Sequence, residues 1–172
     1  MAGGFKHFGP TYPTTDYVRL GYEGEINGIH DISASLVENA ASANGEANEE
    51  LAGRFAAIGA DGVTTAAAGG ANAVGLFRED LHDMVNASGK ASFYFRGGEY
   101  YVQEVRLGAD ITTFAVGDGI SSDADGKIVK AEGDARVLGT VTHIGPYKNG
   151  NMYEWAGEAA NGGKYLGFIM HM

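Results

Sequence analysis

Cysteine is absent from this chain. That excludes disulfides, thiolate metal sites and cysteine nucleophiles together, and it fits synthesis in a reducing cytosol. Proline is scarce, with 3 residues, and tryptophan occurs once. No apolar stretch approaches the roughly 18 residues that mark a membrane-spanning helix. Met1-Ala2-Gly3-Gly4-Phe5-Lys6 opens no apolar signal region. The expectation is a chain that neither spans a membrane nor carries an export signal. Positive charge is short as well: 12 Lys and Arg face 22 Asp and Glu, for a formal net charge of −10. Phosphate backbones are held by clustered bases, and no basic run occurs, so a nucleic-acid partner is not expected.

Catalytic signatures are missing too. No G-x-S-x-G elbow occurs. Ser88-Gly89-Lys90 lacks the first glycine of a phosphate loop, because position 84 is Met84. The five histidines, His7, His30, His82, His143 and His171, show no H-x-x-H or H-E-x-x-H spacing, which argues against zinc. Ser122-Asp123-Ala124-Asp125-Gly126 fails the calcium-loop spacing, since Gly126 arrives at position 4 and Lys127 at position 5. The reading is no catalytic residue, no cofactor and no metal.

What the chain has in excess is glycine, 28 of its 172 residues. Without regular spacing or abundant proline, this is not a collagen pattern. It suits many turns and short strands better than helices. The glycines also recur. Residues Gly53 to Gly75 align without a gap on Gly117 to Gly139, a shift of 64 positions. Eight of the 23 pairs are identical: Gly53/Gly117, Ala60/Ala124, Asp61/Asp125, Gly62/Gly126, Ala67/Ala131, Gly69/Gly133, Ala71/Ala135 and Gly75/Gly139. Chance in so biased a composition gives roughly two, so a repeat is read first and the fold second. At a shift of 65, Gly97-Gly98-Glu99-Tyr100-Tyr101 meets Gly162-Gly163-Lys164-Tyr165-Leu166.

The repeat overrules two amphipathic patterns. Glu46 to Ile58 has helical spacing, but its partner Val116-Gly117-Asp118-Gly119-Ile120 cannot be helical. Arg54 to Ile58 therefore reads as a strand. Leu76 and Phe77 likewise end a strand, Ala73 to Phe77, matched by Val137 to Val141. Asp61-Gly62 and Asp125-Gly126 read as hairpin turns, with the glycine at positive φ and the aspartate capping. Lys127 to Lys130 returns as a strand. Ser92 to Phe95 and Glu99 to Leu107 read as an aromatic hairpin turning at Arg96-Gly97-Gly98. Met152 to Trp155 and Lys164 to Met172 read as a second. Among Phe93, Tyr94, Phe95, Tyr100 and Tyr101 the expectation is core on one face and protein interface on the other. In the last strand Leu166, Phe168 and Met170 face one way, and Tyr165, Ile169 and His171 the other. Coverage of that second face by another subunit is expected. Before residue 51, Phe8-Gly9-Pro10-Thr11-Tyr12-Pro13 is kept extended by its prolines. Val18 to Tyr22 alternates weakly, as an edge strand does.

The segment Ala115-Val116-Gly117-Asp118-Gly119-Ile120-Ser121-Ser122-Asp123-Ala124-Asp125-Gly126-Lys127-Ile128-Val129-Lys130-Ala131, followed by Arg136-Val137-Leu138-Gly139-Thr140-Val141, resembles the small β-rich capsid decoration, or cement, proteins of tailed bacteriophages. Those share an A-x-G-D strand, a D-x-D-G-K hairpin and a GxV strand. The resemblance covers about 51 to 145. The first copy departs from it by Arg54 where Asp118 stands and Val63 where Lys127 stands.

The expected fold is all-β: two related small barrel or sandwich units, residues 51–108 and 109–172, after an extended N-terminal arm and linker, 1–50. The resemblance implies a structural virion protein, made in the host cytoplasm and placed on the outer capsid surface, where it stabilises contacts between major capsid subunits. The major capsid protein would be its partner and a homo-oligomer, dimer or trimer, its state. Phe5, Phe8, Tyr12, Tyr17 and Tyr22 are the expected arm anchors. Tyr165, Ile169 and His171 are the expected oligomer interface. The alternative is a receptor- or glycan-binding module of a tail or surface appendage.

Overall fold

The computed structural model describes residues 18–20, 25–34, 36, 50–78, 80, 90–145 and 164–172. These are all-β, joined by short 3-10 turns at Ala68–Gly70, Glu104–Arg106 and Ile111–Thr113. The strands are β1 Val18–Leu20, β2 Glu25–Asp31, β3 Phe55–Gly59, β4 Gly62–Thr65, β5 Ala73–Phe77 and β6 Lys90–Arg96. They continue as β7 Glu99–Gln103, β8 Gly119–Ser122, β9 Ile128–Lys130, β10 Gly139–Gly145 and β11 Tyr165–Met170. Two antiparallel sheets result. The first runs β2-β6-β5-β3-β4, the second β1-β7-β11-β10-β8-β9. Apart from β1, the second order is the first with every strand number raised by five.

Register repeats with the order. Phe55 pairs with Leu76 and Ala56 with Gly75, while Gly119 pairs with Thr140 and Ile120 with Gly139, all at the shift of 64. The turns entering β3 and β8 repeat bond for bond. Gly53 N donates to Phe77 O at 3.0 Å and Gly117 N to Val141 O at 2.8 Å. Arg54 N donates to Leu51 O at 2.9 Å and Asp118 N to Ala115 O at 3.0 Å. Gly53 and Gly117 hold φ of 87° and 94°, where a side chain is strained. Gly75 and Gly139 match for another reason, close approach of the neighbouring strand. A methyl group on Gly75 overlaps the Phe93 ring and the Tyr94 carbonyl oxygen. One on Gly139 lies 2.6 Å from Ile169 O and 3.1 Å from the Phe168 ring. Glycine inside a strand marks such an approach.

Each sheet also curls back on itself. The chain leaving β2, at one edge of its sheet, bridges the opposite edge: Ile32 pairs in parallel with Val63, and Ser33 N donates to Val63 O at 3.0 Å. The chain leaving β7 does the same, Gly108 N donating to Ile128 O at 2.9 Å.

Strand alternation divides the side chains between two cores. Phe55, Ala57, Leu76 and Tyr94 of the first sheet join Tyr100, Ile120, Val141, Leu166 and Phe168 of the second in one buried cluster. The Phe55 and Phe168 rings lie 6.4 Å apart and those of Tyr94 and Tyr100 5.0 Å. Their sequence neighbours Ala56, Phe77 and Phe93 point the other way, into a cluster with Leu51, Val63 and Ala91, closed by Ile32 and Leu36. Each large apolar side chain so buried contributes roughly 1.5–3 kcal/mol.

Several expectations meet the structure directly. β3, β5 and β9 stand where the repeat placed strands, and β1 is the edge strand. The aromatic hairpin is corrected: β6 and β7 lie in different sheets. Arg96-Gly97-Gly98 is the crossing between them, tied to the C-terminal strand by Gly97 N to Met172 O at 2.9 Å and Met170 N to Gly98 O at 3.0 Å. Aromatic content identifies strands but says nothing about which strands pair. The shift of 65 fails for the same reason. It matches β7 to β11, whereas the strand order matches β7 to β2 and β11 to β6. Phe93 and Phe168 are counterparts, 75 positions apart, because they pair with Phe77 and Val141. The sheets also divide the chain differently from the 1–50, 51–108 and 109–172 scheme. Glu25–Asp31, read there as arm and linker, is an edge strand of the first sheet, and the division falls between β6 and β7.

Candidate functional site

Since the sequence offers no catalytic motif to follow, the described surface is read from what each strand turns outward. In β11, Leu166, Phe168 and Met170 face the core, so Tyr165, Gly167, Ile169 and then His171 face away. Their surroundings differ. Tyr165 is only 2% exposed, covered by its own chain, whereas Ile169 is 46% exposed. His171 is exposed, with Nε2 3.1 Å from Thr140 Oγ1. The three expected interface residues therefore share a strand face, but only Ile169 and His171 reach the surface. The arm anchors Phe5, Phe8, Tyr12, Tyr17 and Tyr22 lie outside the described residues.

Towards β7 the same face is a polar network. Glu99 Oε1 accepts from Tyr101 Oη at 3.0 Å and from Thr142 Oγ1 at 2.8 Å. The Tyr101 ring stands 5.8 Å from that of His143. Both lean over Gly167, where a methyl group lies 2.8 Å from Tyr101 Cε1 and 2.9 Å from His143 Cβ. Towards β8 the face turns apolar. Ile169 pairs with Thr140, and Thr140 with Gly119. Val137, 46% exposed, fills the place of the missing Gly119 side chain. Val116, in the turn before β8, is 67% exposed. Sequence reading named Ile169 but missed Val116 and Val137. The signal was the repeat, which aligns them with Ala52 and Ala73, both buried between the sheets.

Among the described residues of the first sheet, Ile58 on the β3–β4 hairpin is comparable, at 53%. It lines a hollow of about 300 Å³ with Asp31, Ala60, Asp61, Gly62 and Val63. The sequence predicts that Asp61 caps its own turn, and the structure corrects this. Its Oδ2 accepts from Ser33 Oγ at 3.1 Å and Ala34 N at 3.2 Å, holding the chain that leaves β2. In the other hairpin the cap is Asp123 rather than Asp125. Asp123 Oδ1 accepts from Asp125 N at 2.9 Å and Lys127 N at 2.8 Å. Both acidic turns thus use their carboxylates to hold backbone.

Charge is organised around two further turns. Asp80 Oδ1 accepts from Leu51 N and Ala52 N at 3.0 and 2.9 Å, and Arg106, 4% exposed, grips both Asp80 oxygens at 3.2 and 2.9 Å. Arg54 is half-buried beside them. Burial pushes its guanidinium below the usual range, and the Asp125 and Glu50 carboxylates oppose that. Asp118 is held below the usual carboxyl range, first by its hydrogen bond from Lys130 and then by that from Ala115 N. Asp110 is lowered the same way by the Thr112 N–H and hydroxyl. These groups fasten turns. The aromatic cluster is largely spent inside: Phe93 is 0% exposed, Tyr94 5%, Tyr100 0% and Tyr101 6%, while Phe95 is half-buried. What the described surface offers is aliphatic.

No protein-family model matches this sequence, and no curated protein matches it significantly.

Proposed function

We propose that this chain is a non-enzymatic structural virion protein that binds the outer capsid surface and stabilises contacts between major capsid subunits. In this reading β2–β6 and β7–β11 are two related small barrel-like units, and the segment before β1 is an arm. Synthesis is in the host cytoplasm and the finished location is the capsid surface. The observation that carries the proposal is the exposed aliphatic set Val116, Val137, Ile169 and Ile58 on a scaffold whose described polar clusters hold its own turns. Exposed apolar residues that cluster mark protein contacts. A ligand that binds only the assembled lattice stabilises it by mass action, and the arm anchors Phe5, Phe8, Tyr12, Tyr17 and Tyr22 would spread that contact. The glycan-binding alternative needs exposed aromatic rings, and among the described residues all are buried except Phe95, which is half-buried.

The test is co-sedimentation of the purified chain with capsid shells of the phage that encodes it. Saturable binding is expected, with a clear gain in shell resistance to heat. Deleting residues 1–17 spares β1 and should abolish binding while leaving the sheet signal intact. Absence of any binding by the full chain overturns the proposal, and retained binding by the deletion overturns the arm.

A further inference from the structure

The two sheets of one chain already form an interface, and it is one-sided. The first sheet contributes the outer face of its strands: Ala52, Phe55, Ala57, Ala73, Leu76 and Tyr94 are all buried against the second sheet. The second sheet receives them with its β8–β9 hairpin and the strand beside it. Phe55 N donates to Gly126 O at 2.7 Å, and Ser122 Oγ donates to Ala67 O at 2.6 Å.

Because strand order and register recur, each half of this contact has a counterpart elsewhere on the molecule. The contributing face corresponds to Val116, Gly119, Ser121, Val137, Thr140 and Ile169 of the second sheet, of which Ser121 is already buried within the chain. The first five follow the shift of 64. Ile169 follows because it pairs with Thr140 as Tyr94 pairs with Leu76. The receiving hairpin corresponds to β3–β4, where Ile58 stands in the place of Ser122 (58 and 64 make 122). These two counterpart regions hold four of the five exposed large hydrophobic residues described: Val116, Val137, Ile169 and Ile58. The hollow of about 300 Å³ lies beside Ile58. Within one chain, Val116, Val137, Ile169 and Ile58 stay exposed.

We infer that a second copy of this chain seats its β3–β4 hairpin, with Ile58 and the adjoining hollow, on the Val116–Val137–Ile169 face, repeating between chains the contact the two sheets make within one. The contact is head to tail, so it builds a ring if its rotation closes and a filament if it does not. It is weaker than the internal one, because Gly119 and Thr140 replace the bulky Phe55 and Leu76 at its centre. The inference deepens the homo-oligomer part of the function proposed above and does not depend on the capsid part.

Sedimentation velocity of the full chain over a concentration series tests it. The wild-type chain should associate with rising concentration. Ile58→Glu and the double variant Val137→Glu/Ile169→Glu should each weaken association by at least about 30-fold, as loss of central apolar anchors does. Mixed together, they should form a heterodimer, since each keeps one sound half. Ile58→Asn and Val137→Thr/Ile169→Thr give the same comparison with less disturbance should a glutamate variant fail to fold, and thermal melts show which variants fold. A wild-type chain that stays monomeric throughout overturns the inference. So does full association of Ile58→Glu, which points to a face-to-face contact, and so does a mixture that fails to associate. Binding of the same variants to capsid shells separates the two proposals. Association without shell binding leaves this one standing and removes the other. A monomeric wild type whose shell binding is lost in Val137→Glu/Ile169→Glu assigns the face to the capsid protein instead.

Discussion

The turns entering β3 and β8 have the same hydrogen bonds and the same positive-φ glycine, yet they are fastened by opposite means. Before β8 the turn is self-contained. Asp118 Oδ2 accepts from Ala115 N at 2.8 Å and pairs with Lys130 at 2.8 Å. Before β3 the equivalent residue is Arg54, which cannot accept. The acceptor comes instead from Asp80, 29 positions from Leu51 in sequence, and Asp80 is itself held by Arg106 from the turn after β7. One copy closes locally. The other borrows a carboxylate from beyond β5 and a cation from the half of the chain that builds the other sheet. The outward faces differ in parallel: Phe55 and Leu76 on the first sheet, Gly119 and Thr140 on the second. The first sheet is thus committed to an internal partner, and its stability should be coupled to the second in a way that is not reciprocal.

The largest test of that asymmetry is at the seam. Phe55→Ala removes a fully buried ring that packs on Phe168, at a cost of about 3–5 kcal/mol. In a domain of this size each kcal/mol moves the melting temperature by about 2–4 °C. Gly119→Ala, at the matching position, meets the Val137 methyl groups at 3.1 and 3.3 Å and Ala131 Cβ at 3.6 Å, and should change stability by less than about 1 kcal/mol. Equal losses from the two substitutions, read by thermal denaturation, would mean that the seam is not one-sided.

The turn caps give a smaller contrast. Asp80→Asn removes the nearer of two carboxylates from the buried Arg106 guanidinium, leaving Glu50 at 3.6 Å, and should cost up to about 3 kcal/mol. Because Arg106 lies beyond β7, the loss should appear as a drop in the unfolding midpoint of the whole molecule. Asp118→Asn keeps an acceptor for Ala115 N and loses only a solvent-exposed partner. At neutral pH it should lower the urea midpoint only slightly. A midpoint drop in Asp118→Asn as large as in Asp80→Asn would erase the distinction between borrowed and local caps.

The shift of 64 carried three strands and both acidic turns, because those features are set by residues within a few positions of each other. What it did not carry was pairing between distant segments. Arg96-Gly97-Gly98 has the composition of a hairpin turn, and only the placement of β6 and β7 in separate sheets shows it to be a crossing. Glu25–Asp31 contains Asn27, Gly28 and Asp31, all poor strand formers. Its pairing with β6 is a tertiary effect that no local pattern announces. The surface was legible in the same uneven way. Ile169 follows from alternation, and Tyr165 shares its parity, but burial of Tyr165 depends on what the rest of the chain lays over it. Val116 and Val137 sit among glycines and alanines, where apolar residues look like core. Only their counterparts Ala52 and Ala73, once seen to be buried, mark their exposure as unusual.

The smallest effect is the acid response of the second turn, and its sign follows from Asp118. Its carboxyl titrates below the ordinary 3.8 when folded, first because of Lys130 and then because of Ala115 N. Between the lowered and the ordinary value the unfolded chain binds more protons than the folded one, so acid favours unfolding there. The contribution is complete well above the ordinary carboxyl range and fades as pH falls through 3.8 towards the lowered value. Arg54, at the matching position of the first copy, has no proton to gain over that range. Amide exchange at Ala115 should therefore accelerate in the wild-type chain on acidification below pH 3.8, beyond the intrinsic pH dependence of exchange. In Asp118→Asn that extra acceleration should vanish, because the amide side chain cannot titrate. Asp110, which is also lowered, remains in both proteins and cancels from the comparison. Equal acid responses in the two proteins would show that the Asp118 charge does not hold the turn and that backbone bonds alone close it, as they would have to around Arg54 if Asp80 were removed.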